Sequence, residues 1–132
     1  MEITYTDKIN AIRECLVEYT TPLYVCGVLN DVVVDSLTVI HANMPKEELI
    51  IIGNNYPDWI KKVKANGEGK NTLLIKDFDK ISYDDQRLFL DIICNNSVSG
   101  EKLPNNLKII INSSEKCNLI PEIREVIQFF EI

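Results

Sequence analysis

Five short apolar runs, separated by longer amphipathic stretches, set the hydrophobic pattern of this chain. Most of the runs are continuously apolar, which is typical of strands buried on both faces of a sheet. Glycine, proline or asparagine lies close to most of them, and these residues commonly end regular structure. The runs predict five strands, at Leu23–Gly27, Glu48–Gly53, Thr72–Ile75, Leu107–Ile111 and Ile127–Ile132.

The stretches between these runs carry apolar residues at helical spacing and therefore predict helices. The second helix is inferred from the spacing of Val33, Leu37 and Ile40, with Asn30 or Asp31 as its N-cap. Ser82 is the predicted cap of the fourth helix. The five predicted helices run from Thr6 or Asp7 to about Tyr19, from Val32 to about Asn43, from Asp58 to Ala65, from about Tyr83 to Cys94, and from Pro121 to Val126.

Because the predicted strands and helices alternate, the pattern favours an α/β fold. We expect a three-layer α/β/α sandwich around a five-stranded parallel sheet with right-handed crossovers. The polar segment Asn95–Asn106 contains Gly100 and Pro104, and it predicts a loop or a hairpin-like excursion. The length of 132 residues suits one domain, residues 1–132.

Composition and charge narrow the classes of function. No apolar run approaches the length that crosses a bilayer, and the N-terminus lacks a signal-peptide pattern, so we expect a cytoplasmic protein with no membrane partner. Lys and Arg number 14 against 20 Asp and Glu, giving a net charge of −6 that argues against sequence-independent duplex binding. One basic cluster, Lys61, Lys62 and Lys64 with Lys70, keeps nucleic acid as a weaker alternative partner. The four cysteines have no zinc-site spacing and are expected to be free thiols.

Three segments are informative together: Leu73–Ile81, Glu101–Asn112 and Leu119–Ile132. They resemble the core of AAA+ ATPases, a family with the P-loop NTPase fold. Leu73–Ile81 is similar to the family's apolar strand followed by an acidic turn. Glu101–Asn112 is similar to its hairpin-like insert and the following strand, which ends at a polar sensor residue. Leu119–Ile132 is similar to the segment that carries the arginine finger before the last strand. The order and spacing of the three segments extend the resemblance from about Tyr5 to Ile132.

The resemblance also implies that the phosphate loop is lost. The family's first glycine falls on Gly27, whereas its second glycine, lysine and Ser/Thr fall on Val32, Val33 and Val34. Such a loop needs glycines so that backbone N–H groups converge on phosphate oxygens, and it needs a lysine to neutralise them. Three valines supply neither the charge nor the hydroxyl that holds magnesium.

The remaining catalytic positions of the family are altered as well. The magnesium-coupled aspartate falls on Lys76, and the water-polarising glutamate falls on Asp77. The sensor falls on Ser114 or nearby, and the arginine finger falls on Val126, beside Arg124. Together these losses remove the charge neutralisation and metal holding on which phosphoryl transfer depends.

The leading hypothesis is therefore a catalytically inactive AAA+-like domain that serves as a protein-interaction or regulatory module. On this hypothesis we expect no catalytic, cofactor-binding or metal-binding residues and no cofactor, and we expect the family's helical lid to be absent. An active AAA+ ATPase is one candidate partner. An alternative is a nucleotide-binding protein without hydrolysis, or one completed in trans by a partner ATPase. A third hypothesis is an enzyme of another chemistry that uses Cys26, Asp77 and Asp79.

Several single residues have both a functional and a structural interpretation. Lys76 either fills the vacated ion site and pairs with Asp77 or Asp79, or is an exposed lysine at a strand end. Cys26 is a nucleophile without an obvious base or, on the favoured interpretation, a core thiol. The other favoured interpretations are structural: a partly buried residue on a helix face for His41, turn capping for Asp77 and Asp79, and core packing for Trp59 with Tyr56.

Overall fold

The structure is a computed structural model that describes residues 4–18, 21–29, 36–67 and 69–132. Short helices and strands alternate along these residues. In chain order they are α1 (Tyr5–Glu18), β1 (Leu23–Cys26), β2 (Leu37–His41), α2 (Lys46–Leu49), α3 (Asp58–Asn66), β3 (Thr72–Lys76), the 3-10 helices Phe78–Lys80 and Asp84–Phe89, α4 (Leu90–Asn95), β4 (Ser97–Val98), β5 (Glu101–Lys102), β6 (Lys108–Ser113), α5 (Pro121–Arg124) and β7 (Gln128–Glu131).

Five of the strands form one parallel sheet in the order β2-β3-β6-β1-β7. The expected α/β class and the five-stranded parallel sheet are therefore confirmed. β1 lies between β6 and β7, and β6 lies between β1 and β3. β2 and β7 are the two edge strands, and the interior strands β1, β3 and β6 are almost entirely buried.

Side chains of the sheet alternate between two apolar clusters, one on each face. In β1, Leu23 and Val25 pack towards α1, whereas Tyr24 and Cys26 face the opposite way. The α1 side of the sheet receives Ile9, Ile12 and Leu16 from the helix. The other side is covered by apolar residues of α2, α3, α4 and α5, which form the larger cluster. Helices thus lie on both faces of the sheet, as sheet strands buried on both faces require.

The second strand lies where the sequence predicted a helix. Leu37–His41 forms β2 and pairs in parallel with β3, so the predicted helix over Val32–Asn43 is wrong in its described part. Val32 to Asp35 lie outside the described residues. The helical spacing of the apolar residues competed with a two-residue alternation, in which Thr38 and Ile40 are buried while Val39 is exposed. The alternation prevails because the edge of β3 offers backbone partners and β-branched residues fit a strand.

The predicted strand at Glu48–Gly53 is also wrong. Pro45 precedes the short helix α2, which ends at Leu49, and Ile52 forms only an isolated antiparallel bridge with Asn55. Pro45 is the N-cap residue, with an extended backbone of φ −55° and ψ 146°, and its missing N–H removes one of the donors that a helix start leaves unsatisfied. Since β2 already occupies the edge of the sheet beside β3, this apolar run is left to pack over the larger cluster through Leu49, which is buried.

Other boundaries are close to the sequence prediction. The cap of α1 is Thr4 rather than Thr6 or Asp7: the Asp7 N–H donates to Thr4 Oγ1, and the Thr4 N–H donates to the Asp7 carboxylate. Ser82 acts as predicted, since its Oγ accepts from the Asp85 N–H at 3.1 Å. The predicted excursion before β6 is the antiparallel β4–β5 hairpin. Among the described residues, no helix combines the length and apolarity needed to cross a membrane.

Candidate functional site

The carboxyl ends of the parallel strands meet at one edge of the sheet, where ligands of open α/β sheets commonly bind. Gly27 follows β1, His41 ends β2, Asp77 follows β3 and Ser114 follows β6. The positions that the family resemblance assigned to Gly27, Lys76, Asp77 and Ser114 therefore share this edge, which we call the carboxyl edge.

Gly27 is held tightly at the carboxyl edge. Its N–H donates to Ser113 O at 2.8 Å, and its carbonyl accepts from the Asn112 side-chain amide at 3.1 Å. Its φ of 129° belongs to a region that side chains other than hydrogen rarely allow. A Cβ at this position would stand 2.6 Å from Ile132 Cγ1. The glycine is therefore explained by close packing against Ile132 at the end of β7.

Lys76 turns its ammonium group towards backbone rather than towards an acid. Its Nζ donates to Leu29 O at 3.5 Å, and the residue is half-buried. No ion pair with Asp77 or Asp79 exists within the described part of the chain, so the expected pairing of Lys76 is not found. The interpretation as an exposed strand-end lysine is also wrong, because the side chain is partly covered.

Asp77 is engaged on both carboxylate oxygens. Its Oδ2 lies 2.5 Å from His41 Nδ1, and its Oδ1 lies 3.4 Å from Lys80 Nζ. The hydrogen bond with His41, followed by the interactions with Lys80, lowers the pKa of Asp77 below its usual value despite the opposing effect of burial. The residue has a left-handed backbone, with φ 61° and ψ 31°, a conformation that aspartate tolerates better than most residues.

Asp79 ties the turn after β3 to the end of β6. Its Oδ2 accepts from Ser114 Oγ at 2.9 Å and from the Glu115 N–H at 3.3 Å. Its Oδ1 is buried and has no hydrogen-bond partner. The turn after β3 has no side-chain capping bond from Asp77, and Asp79 bonds to the end of β6, so the predicted turn capping by these two acids is not found. The predicted sensor residue Ser114 is occupied by its contact with Asp79.

A polar cluster lies beneath the carboxyl edge. The Tyr24 hydroxyl lies 2.6 Å from Ser113 Oγ and 3.3 Å from Cys117 Sγ, and it accepts from the Cys117 N–H at 3.1 Å. Burial raises the pKa of Tyr24 to about 12 and also raises the pKa of the Cys26 thiol. Cys26 is only 7% exposed, which confirms the interpretation as a core thiol. A buried thiol with a raised pKa is a poor nucleophile.

Other predicted positions do not join this cluster. Val32, Val33 and Val34, which stand for the phosphate loop, lie outside the described residues. Arg124 is exposed at the end of α5, and Val126 packs against the larger apolar cluster.

The predicted aromatic residues Trp59 and Tyr56 differ in burial, and two lysines of the basic cluster have partners within the chain. Trp59 is buried, as predicted, and its indole N–H donates to Leu49 O at 3.0 Å, whereas Tyr56 is exposed. In the basic cluster, Lys62 donates to Leu37 O and Lys64 pairs with Glu101 at 2.6 Å. The ion pair with Glu101 offsets the charge of Lys64, which reduces the positive charge of the cluster offered to a nucleic acid.

The contact between His41 and Asp77 escaped the sequence analysis. The predicted helix placed His41 on a partly buried face, whereas its side chain is 47% exposed at the end of β2. The two residues are 36 positions apart, and only the pairing of β2 with β3 brings them together. Predicting a strand at Leu37–His41 would have indicated this contact, because that strand places His41 and Asp77 at neighbouring strand ends.

No group of three or more His, Cys, Asp or Glu side chains within the described ranges is placed to hold a metal ion. A scan against protein-family models and a search of curated proteins gave no match to this chain.

Proposed function

We propose that this chain is an AAA+-like domain of the P-loop NTPase type that does not hydrolyse nucleotide and serves as a protein-interaction or regulatory module. The observation that carries the proposal is the state of the carboxyl edge. A lysine ends the strand where the family has its magnesium-coupled aspartate, and the acids beside it already have partners within the chain.

The order of the strands supports the proposed ancestry. In an ATPase the phosphate loop, the sensor and the metal-binding acid act on one nucleotide, so their strands must end close together. Here β6 lies between β1 and β3 and places Ser114 between Gly27 and Asp77. This strand order is what such a site would need and supports the proposal, although the residues at the strand ends are not those of an ATPase.

The chemistry of these residues argues against turnover. An ammonium group at Lys76 repels magnesium, and the Asp77 carboxylate is engaged by His41 and Lys80. Removing one preorganised group that stabilises a transition state typically costs about 3 to 4 kcal/mol. Several such losses together leave phosphoryl transfer without its main sources of stabilisation.

Nucleotide titration tests the first half of the proposal. We expect no change in melting temperature when ATP, ADP or GTP is added with magnesium, and no phosphate release above a no-protein blank. A ligand at a hundredfold excess over its Kd stabilises the folded state by about 2.7 kcal/mol, which is readily measured for a domain of this size.

A clear thermal shift would instead favour the alternative of nucleotide binding without hydrolysis. Lys76→Ala would then be compared with Lys102→Ala, a change in the exposed hairpin. Loss of the shift in the first variant alone would place the nucleotide at the carboxyl edge and overturn the proposed function.

The interaction half of the proposal needs a partner. We expect affinity purification of the tagged chain from its own cells, followed by cross-linking and mass spectrometry, to recover a specific protein, and an active AAA+ ATPase is the candidate from fold analogy. Recovery of no protein above an untagged control would contradict this half. The cytoplasmic location stays a prediction.

A further inference from the structure

A groove with a volume of about 400 Å³ runs along the outer edge of β2. That volume lies within the range of small-ligand and side-chain binding pockets. The groove is lined by β2, by residues of α2, and by the start of α3, including Trp59. It involves none of the residues that the family resemblance assigned to nucleotide chemistry.

Backbone pairing determines which groups of β2 face the groove. The Thr72 N–H donates to Ser36 O, and the Ala42 N–H donates to Lys76 O. Residues of a strand alternate in direction, so the even-numbered residues of β2 direct their backbone groups to β3. The odd-numbered residues, Leu37, Val39 and His41, direct theirs away from the sheet.

Two of these three residues already use one or both of their outward groups. Leu37 O accepts from Lys62 Nζ at 2.8 Å. The His41 N–H contacts Met44 Sδ at 3.2 Å, and His41 O accepts from the Met44 N–H at 3.0 Å. Within the described ranges, Val39 is thus the residue of β2 whose outward N–H and C=O both remain available, and it is 44% exposed.

Thr38 contributes an unsatisfied polar atom to the lining of the groove. The residue is 3% exposed, and its Oγ1 is buried without a hydrogen-bond partner. Buried hydroxyl groups nearly always have a partner, because burying one alone is destabilising. A polar ligand group that enters the groove would satisfy this hydroxyl.

The charge of the lining is negative. Glu47, Glu48 and Asp58 line the groove and are all exposed, against one lysine, Lys62, which is engaged by Leu37 O. Apolar surface of Trp59 lies beside these acids. A side chain with an aliphatic stem and a cationic head complements both features.

We propose that the groove at the outer edge of β2 binds an extended, basic segment of a protein partner, which pairs with the backbone of Val39 and places an arginine side chain in the groove. A guanidinium group has five N–H donors, so it can donate to the Thr38 hydroxyl oxygen and to the carboxylates of the lining at the same time. It is also more weakly hydrated than an ammonium group. This inference rests on the proposed interaction function and deepens it by naming the chemistry of the partner.

Trp59 provides a specific readout because it is the only tryptophan in the chain. The probe is a short peptide in which arginine alternates with valine, compared with peptides that carry lysine or glutamate in place of arginine. We expect a saturable change in tryptophan fluorescence with the arginine peptide, about tenfold weaker binding of the lysine peptide, and no binding of the glutamate peptide. Absence of a saturable change with the arginine peptide would overturn the inference.

A charge reversal tests the role of the acids. We expect Glu48→Lys to weaken binding of the arginine peptide by about tenfold. The matched control is Glu125→Lys, the same change of charge at an exposed residue beside β7, the opposite edge of the sheet. Equal weakening by both variants would show attraction to the net charge alone and would refute a built site.

A backbone change tests the strand pairing. Val39→Pro removes the outward N–H at a position where proline is tolerated in edge strands, and Val39→Thr retains it. We expect the proline variant to bind about tenfold more weakly and the threonine variant to bind like the wild type. Should the proline variant fail to fold, Thr38→Val, which removes the hydroxyl but keeps the shape, is the substitute and is expected to weaken binding. Unchanged binding by the folded variant would refute this mode of docking.

Three further outcomes are informative. Tryptophan fluorescence that varies with protein concentration, together with dimer formation in sedimentation, would assign the groove to a second copy of this chain and overturn the peptide inference. A partner recovered from cells that binds the Glu48→Lys variant normally would overturn this inference and leave the proposed interaction function standing. Nucleotide binding, in contrast, would overturn the proposed function without altering the peptide result.

Discussion

At the residue scale, Tyr24 shows how one buried hydroxyl joins distant parts of the chain. It contacts Ser113 at the end of β6 and Cys117 in the segment that follows. The side chain is 2% exposed, so these contacts replace the water that the hydroxyl would otherwise bind. Removing it deprives the partly buried Cys117 N–H of this acceptor and takes one of two side-chain partners from the buried Ser113 Oγ.

We therefore expect Tyr24→Phe to lower the free energy of unfolding at neutral pH by about 1 to 3 kcal/mol, because the Cys117 N–H loses its acceptor and Ser113 Oγ loses one of its partners. Urea denaturation measures this change. Tyr83→Phe is the matched control, since Tyr83 is 48% exposed, and we expect it to change stability by less than about 0.5 kcal/mol.

The raised pKa of Tyr24 also predicts that the free energy of unfolding falls at alkaline pH. Tyr24 ionises near 10 in the unfolded chain but at about 12 in the folded one, so its contribution is complete below about 10 and is lost as the pH rises through about 12. We expect wild-type stability to fall over this window and Tyr24→Phe to show a smaller fall. Identical alkaline profiles for the two proteins would contradict the raised pKa.

The lowered pKa of Asp77 predicts a loss of stability at acidic pH. A lowered pKa in the folded state contributes stability above the unfolded value of about 3.9, and that contribution disappears as the pH falls through the lower folded value. We expect Asp77→Asn to lose up to about 1 kcal/mol at neutral pH and to approach the wild type in acid, since asparagine keeps the left-handed backbone. Asp84→Asn, at an exposed position, controls for the change of charge. A deficit of the Asp77 variant that persists in strong acid would contradict the ion pair.

At the scale of elements, β2 is firmly paired in the sheet and also carries a buried hydroxyl without a hydrogen-bond partner. It pairs along its whole length with β3, yet Thr38 buries a hydroxyl that has no partner. An isosteric apolar residue at this position would keep the packing and remove the polar atom. The unpartnered hydroxyl lowers the stability of the fold, and a residue that lowers stability at an edge strand is consistent with a role in binding.

We accordingly expect Thr38→Val to raise the free energy of unfolding by about 1 kcal/mol, because a buried hydroxyl without a partner is replaced by a methyl group. Thermal and urea denaturation measure the gain. Thr72→Val, at a buried position in the neighbouring strand, is the comparison and is not expected to stabilise, because the Thr72 hydroxyl is not among the fully buried side-chain atoms without a partner. A destabilised Thr38→Val protein would show that the hydroxyl has a partner after all.

The junction of β1 and β7 depends on one glycine. A Cβ on Gly27 would approach Ile132 O to 2.8 Å, with an unfavourable positive φ in addition. We expect Gly27→Ala to destabilise the fold by about 3 kcal/mol or more, from backbone strain and steric overlap together. Gly53→Ala is the control, since φ is also positive there but no atom lies within 4 Å, and about 1 to 2 kcal/mol is expected. Equal losses in the two variants would mean that the close approach is unimportant.

At the scale of the whole molecule, the two faces of the sheet are covered unequally. In the part of the chain that the structure describes, α1 is the helix that packs on one face, whereas α2, α3, α4 and α5 contribute to the other. Integrity of the smaller cluster therefore depends on the few apolar residues of α1.

We expect Ile12→Ala to cost about 2 to 5 kcal/mol, because Ile12 is fully buried at the centre of this smaller cluster. Val17→Ala in the same helix is the control, since Val17 is 81% exposed, and its effect should stay within about 0.5 kcal/mol. Hydrogen exchange should show earlier loss of protection in α1 than in β1 for the Ile12 variant. Comparable destabilisation by both variants would contradict the packing of α1.

The sequence by itself determined four of the five sheet strands, each to within two residues at either end. Three of these runs contain three or more consecutive apolar residues, so burial in a parallel sheet is the arrangement that satisfies them. The fourth, Ile127–Ile132, contains Gln128 and Glu131 and forms the exposed edge strand β7. It also placed α1, α3 and the hairpin after α4 close to their observed positions.

Only the tertiary structure decided the fifth strand and the contacts made across the carboxyl edge. Leu37–His41 fits a helical and a strand period about equally, and the choice depends on the free backbone groups of β3, far away in the chain. The pairing of His41 with Asp77, the unsatisfied hydroxyl of Thr38 and the groove beside Val39 all follow from that choice. Local periodicity carries no information about which strand lies alongside, and these features depend on that neighbour.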